Sequence, residues 1–199
     1  MAEVQPQPEL EAAETYIKEN EAVIATEVAK PLEIADAEPA TAAPATAAAP
    51  AKEEVVRLST LQKINNLNVA NRVKLAFLGN KEERMILIRD GSKVVSGAVL
   101  ASPKISDQEV ETIAGMKNVQ ESVLRDLARN RRFVKKYSVV RNLVNNPRTP
   151  LDLSLTFMKN LLPVDLKGLS MNKNVPETLR KMALRSFKEK TAPPGQKGG

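Results

Sequence analysis

The stretch RMILIRDGSKVVSGAVL, residues 84–100, decides the fold class. Two apolar runs flank Asp90-Gly91, and Asp-Gly between apolar runs is a strong tight-turn signal for a β-hairpin. The helical reading starts one turn earlier, at Asn80-Lys81-Glu82-Glu83. This has the form of a capping box. The Asn side chain accepts from an orphan amide, and the Glu three residues on reaches back. A helix from Asn80 then ends at Asp90, Gly91 supplies a left-handed residue after it, and Ser92 caps the next helix. The helical reading explains both ends of its element, the hairpin only its turn, so the helix is preferred.

The same signature recurs on the C-terminal side. Ser106 to Glu109, Asn118 to Glu121 and Asn174 to Glu177 repeat the spacing, with Glu in a first turn that suits the helix dipole. Pro150, Pro163 and Pro176 suit helix starts, where a missing N–H costs nothing. The chain also repeats itself. IAGMKNVQESV (113–123) lies over LSMNKNVPETL (169–179), and VSGAVLASPKIS (95–106) over VVRNLVNNPRTP (139–150). RNLVNNPRTPLDL (141–153) lies over KGLSMNKNVPETL (167–179). The offsets of 56, 44 and 26 residues make the repeat irregular. The predicted fold is all-α: short stacked helices broken by Asn/Pro turns. A stripe such as Val123, Leu124 and Leu127 is then buried only by its neighbours. Phe133, Tyr137, Val140 and Val144 read as a second buried stripe. Met85, Met116, Met158, Met171 and Met182, at helical spacing, read as core rather than an adaptable groove.

From Arg141 to Asp165, and again from Lys167, a basic residue and two apolar positions precede Asn-Pro or Asn-x-Asn, then Pro, a helix and an Asp-containing turn. This pattern resembles the bacterial variant leucine-rich repeat and the related HEAT-type repeats. The resemblance covers residues 139–188 and, in degenerate form, 69–138. It implies an α-solenoid. The iron–sulfur association of some members does not carry over, because the chain has no Cys. RVKLAFLGNKEERMILIRD (72–90) through NVPETLRKMAL (174–184) is also similar to soil-bacterial proteins of unknown function. Resemblance thus implies a fold and no activity.

The 199 residues include 30 Lys+Arg and 24 Asp+Glu, a net charge of +6, with no His, Cys or Trp. Without Cys there is no disulfide scaffold, cysteine hydrolase or zinc ribbon, and without His no imidazole acid–base group or metal ligand. The modest net charge hides a division. Residues 1–51 carry ten acids and two bases, while residues 52–190 carry 27 bases and 14 acids. The expected organisation is an acidic, Ala/Pro-rich disordered arm (1–51), a basic helical-repeat domain (52–190) and a flexible tail (191–199). EPATAAPATAAAPA (38–51) buries too little to offset its ordering entropy. Residues 8–29 could form only a transient helix, since an isolated helix of that length is marginal. MAEVQPQPELE has neither the basic start nor the apolar core of an export signal, and no run approaches a membrane span. A cytoplasmic, non-membrane protein is the expectation.

RDLARNRRFVKKYSVVR (125–141) is the densest basic stretch, and its candidate anion- or partner-binding residues are Arg125, Arg129, Arg131, Arg132, Lys135, Lys136 and Arg141. Arg125, Arg129, Arg132 and Lys136 share one face if a helix runs through Asn130; a turn there splits them. No catalytic, cofactor or metal residues are assigned. The domain's carboxylates sit at helix starts and turns, and no glycine-rich phosphate loop occurs. The expected function is a non-enzymatic scaffold for an acidic protein partner, or for the chain's own arm folding back on the basic face. Nucleic acid is the alternative occupant. Phe133 and Tyr137 read as buried, so no exposed aromatic is expected beside the bases, which counts against single-stranded RNA.

Overall fold

The computed structural model describes residues 8–27 and 60–192, and among these every regular element is a helix. The chain divides into two compact units, Met1–Ile105 and Ser106–Gly199. The first contains α1 (Pro8–Glu19), α2 (Glu21–Glu27), helical backbone at 60–65, α3 (Val69–Leu78), α4 (Lys81–Leu87) and α5 (Lys93–Ala101). The second contains α6 (Asp107–Gly115), α7 (Glu121–Arg129), the short α8 (Arg131–Val134), α9 (Tyr137–Asn145), α10 (Leu151–Met158), α11 (Pro163–Met171) and α12 (Glu177–Thr191).

In the N-terminal unit the deciding stretch is helical on both sides of its bend. The Asn80 box forms: Glu83 N donates to Asn80 Oδ1 at 3.0 Å, and Asn80 N to Glu83 Oε2 at 2.7 Å. Ser92 caps α5 by accepting from Val95 N at 3.4 Å. The expected end of the first helix is wrong, however. α4 stops at Leu87, with Ile88 as its C-cap, short of Asp90. The cause is tertiary. Asp90 is an interior anion, its Oδ2 2.8 Å from Arg72 Nη1, with both side chains 1% exposed. Its Oδ1 accepts from Ser92 N at 2.9 Å, and Arg72 Nε donates to Leu67 O at 3.0 Å. A buried charge is tolerated only when paired and hydrogen-bonded in this way.

Disorder is also the wrong expectation for residues 8–27, which form α1 and α2 and pack on α3. Ala13 and Ile24 are buried. The Tyr16 ring lies 5.7 Å from that of Phe77, and its hydroxyl donates to Val94 O at 3.1 Å. Ser92 Oγ donates to Glu27 Oε2 at 2.5 Å, and Lys104 Nζ lies 3.5 Å from Glu9. An isolated helix of this length is marginal in water, and burial against α3 supplies stabilisation that the segment alone lacks. Residues 28–51 of the expected arm and 193–199 of the expected tail lie outside the described residues.

In the C-terminal unit the Ser106–Glu109 box forms, but the other two do not. α7 and α12 begin at Glu121 and Glu177 themselves, after Gln120 and Pro176, which give no side-chain cap. Asn174 is used inside the preceding turn, where its N–H donates to Asn172 Oδ1 at 3.0 Å.

The three internal alignments all fall on this kind of turn. At each, a cap residue donates its N–H to the helix residue three before it: Ser102 to Val99, Met116 to Ile113, Asn146 to Leu143 and Asn172 to Leu169. Three residues after each cap comes a buried residue, respectively Ile105, Val119, Thr149 and Val175. The next helix starts two residues later. The sequence repeat is therefore the repeat of one helix-ending turn.

The Asn caps also join helices. Asn146 Nδ2 donates to Ala114 O at 2.9 Å and Met116 O at 2.7 Å, and Lys136 Nζ lies 2.9 Å from Asp107. These contacts fasten α9 to α6 at both ends. Asn172 Nδ2 donates to Asn145 Oδ1 at 3.2 Å, and the Tyr137 hydroxyl donates to Asp165. These fasten α11 to α9 at both ends. Within this unit α6, α9 and α11 therefore run side by side in one direction. Arg125 reaches from α7 to Asp152 on α10, and Lys190 at the end of α12 donates to the carbonyls of Lys159 and Leu161 at the end of α10. Between these helices sit Val140, Val144, Met158, Leu166, Leu169 and Leu179. Burying each such side chain stabilises by about 1.5–3 kcal/mol. Met158 is core as expected, and Met85 and Met116 are half-buried. Met171 and Met182 are exposed, which corrects the core assignment for both.

Candidate anion-binding surface

The candidate surface is built by α7, α8 and α9. α7 buries Val123, Leu124 and Leu127 and turns its charges outward. Asn130 ends α7 and, by accepting from Arg132 N at 3.0 Å, starts α8. The turn at Asn130 therefore forms, and the continuous face of Arg125, Arg129, Arg132 and Lys136 does not. Phe133, Val140 and Val144 are buried as the stripe required, but Tyr137 is exposed.

The seven side chains divide into two groups. Four have carboxylate neighbours. Arg125 lies 2.8 Å from Glu121 and 3.6 Å from Asp152, Arg129 is 3.8 Å from Asp126, Lys136 is 2.9 Å from Asp107, and Arg141 is 4.0 Å from Asp165. The Lys136 hydrogen bond and charge, with a smaller contribution from the Arg132 charge, hold the Asp107 carboxyl below its ordinary range. The other three, Arg131, Arg132 and Lys135, are exposed and have no carboxylate within 4.0 Å among the described residues. They sit on α8 and the residue after it, with the Arg132 guanidinium 5.7 Å from the Phe133 ring centre. Buried Phe133 anchors a short turn that presents three cations to solvent.

Sequence reasoning did not find the neighbouring polar knot. The Tyr137 hydroxyl donates to Asp165 and accepts from Leu162 N at 3.0 Å. Desolvation first, and the Asp165 hydrogen bond second, push the Tyr137 pKa up. Nothing in the local pattern links residues 137 and 165; only the parallel contact of α9 with α11 does so. Two grooves were equally invisible. One, of about 560 Å³, is open and lined by Gln108, Glu111, Thr112, Gly115, Met116 and Asn142. The other, of about 530 Å³, lies between α10 and α12, with Leu155, Met158 and Met182 at its wall and Arg185, Glu189 and Lys190 at its rim. Neither brings together an acid, a base and a nucleophile in mutual contact. Among the described residues no group of three or more acidic side chains is placed to hold a metal ion, and no helix is long and apolar enough to cross a membrane. Compared with family models, curated proteins and solved structures, the chain has no match.

Proposed function

We propose that this chain is a non-catalytic helical-repeat module whose C-terminal unit binds an acidic macromolecular partner through residues 125–141. The supporting observation is the α8 turn, where Arg131, Arg132 and Lys135 stand exposed with no carboxylate within 4.0 Å among the described residues, Asp107 feeling the Arg132 charge only from farther away. Their surroundings favour the same sign, since residues 106–199 carry 18 bases against nine acids. The side-by-side run of α6, α9 and α11 is in keeping with solenoid stacking, which offers extended surfaces to macromolecules. Charge of one sign steers oppositely charged partners to such a surface. The chain's own arm is a poorer occupant than the sequence suggested. Six of its ten acids lie in α1 and α2, where Glu9 lies 3.5 Å from Lys104 and Glu27 accepts from Ser92, both within the N-terminal unit.

Titrating the full chain with polyglutamate, duplex DNA and duplex RNA across a salt series tests this reading. Binding of polyglutamate is expected to weaken about tenfold or more in the Arg131→Ala/Arg132→Ala/Lys135→Ala variant, with a shallower salt dependence. Binding of the nucleic acids alone, with a salt slope lowered by about two to three, moves the assignment to nucleic acid. Identical curves for the parent and the triple variant remove this surface from consideration.

A further inference from the structure

We propose that the outer face of α11 is a seat for an acidic amphipathic helix of a partner protein. The inference rests on the function proposed above and names the kind of acidic partner. Its basis is a concentration of exposed apolar groups. Val164, Met171 and Leu162 are 80%, 66% and 56% exposed, the three highest values among the large apolar side chains described as exposed. All three belong to one ten-residue run that ends with α11. Val164, Gly168 and Met171 follow i, i+4, i+7, on the side of the helix away from buried Leu166 and Leu169. That spacing makes one apolar strip about 10 Å long. At its centre, a Cβ added to Gly168 would meet nothing within 4 Å, so a second helix can approach the backbone closely there.

The surrounding charge selects the occupant. Lys167 is exposed on α11, and Arg141 faces the helix from α9. The only carboxylate on α9 or α11 is Asp165, which the Tyr137 hydroxyl and Arg141 engage. An apolar strip edged by cations fits a helix with an apolar stripe and acidic flanks. A second copy of the same face fits poorly, because a twofold contact would bring Lys167 and Arg141 toward their own counterparts. Nucleic acid leaves Val164 and Met171 without a matching surface. The N-terminal unit shows such a helix in place: acidic α1 lies on α3, and its Tyr16 hydroxyl stands 2.7 Å from where a Cβ on Gly97 would be.

The test uses the full chain and a fluorescent helical peptide with Leu at i, i+4 and i+7 and Glu on both flanks. A scrambled peptide of the same composition, polyglutamate and duplex DNA serve as the other arms. The helical peptide is expected to bind saturably and about tenfold more tightly than its scramble, and about tenfold more weakly to Val164→Glu or Met171→Glu. Both substituted side chains are exposed, so unchanged circular dichroism confirms that the variants fold. Equal affinity for the scramble, preference for DNA, or indifference to Val164→Glu overturns the proposal. The Arg131/Arg132/Lys135 variant separates the two readings. Loss of peptide binding there, with none in Val164→Glu, leaves the basic surface standing without the α11 seat. The reverse pattern establishes the seat and removes the α8 turn.

Discussion

Gly97 in the N-terminal unit lies under the Tyr16 hydroxyl, whereas Gly168 in the C-terminal unit has nothing within 4 Å of its missing side chain. The same contrast runs through both units. The N-terminal unit covers α3 with acidic α1 and α2, and it seals an Arg72–Asp90 ion pair at 1% exposure. The C-terminal unit instead joins its helices with buried or half-buried Asn caps and with solvent-exposed pairs such as Lys136–Asp107, and leaves other cations and an apolar strip outside. One unit spends its polar chemistry on holding itself closed. The other leaves cations and apolar side chains exposed on its surface.

The sharpest attack on this contrast is the buried ion pair. Arg72→Met leaves the Asp90 carboxylate buried without its countercharge and is expected to cost about 3–5 kcal/mol in urea unfolding. The double variant Arg72→Met/Asp90→Leu should cost much less than Arg72→Met alone. A cost below about 1 kcal/mol for the single change would mean that the pair does not hold the N-terminal unit closed. Next comes Asn146→Ala, which strips a donor from the Ala114 and Met116 carbonyls and should cost about 2–3 kcal/mol. Asn172→Ala, at a half-buried position, should cost about 1 kcal/mol. Equal values would show that the Asn ties are interchangeable rather than graded by burial.

The two glycines give a smaller effect of opposite sign. Gly168→Ala should stabilise by up to about 1 kcal/mol through helix propensity alone. Gly97→Ala gains the same propensity but pushes the Tyr16 hydroxyl off Val94 O, so the gain is cancelled and α1 amides exchange faster. Slower exchange in α1 would show that the seat has room to spare.

The smallest effect is a pH dependence. The folded-state pKa of Tyr137 is raised, so its contribution is fully present below the unfolded tyrosine pKa, near about 10, and is lost as pH rises through the folded value. Tyr137→Phe should flatten that alkaline decline in stability. Asp107 behaves in the opposite sense. Its lowered pKa gives a contribution present above the unfolded value and lost as pH falls through the folded one. Lys136→Met should move the Asp107 carboxyl resonance midpoint upward.

Much of the helix content was legible because its signals are local. Asn80 and Ser106 mark their helix starts by contacts within four residues, and Ser92 does the same for α5. The same pattern misled at Asn118 and Asn174, because Asn serves a turn as readily as a cap. Of the candidate surface, residues 125–141 were legible as a basic block. Which cations have a carboxylate within 4.0 Å was not, because Asp107, Asp152 and Asp165 arrive from other helices. The Met171 and Met182 assignments failed for a related reason: spacing shows that two residues share a face, not whether anything covers it.

The sequence by itself determined the helical class of the described residues, the turn that recurs after Val99, Ile113, Leu143 and Leu169, and the excess of positive charge toward the C-terminal side. Each depends on residues within about one turn of one another, or on simple counting. Only tertiary structure decided that Asp90 would be drawn inward to Arg72, that α1 and α2 would dock instead of fraying, and that Val164 and Met171 would stay outside. Those outcomes turn on desolvation and burial. Both are set by which distant residues become neighbours, and a linear pattern does not encode that directly.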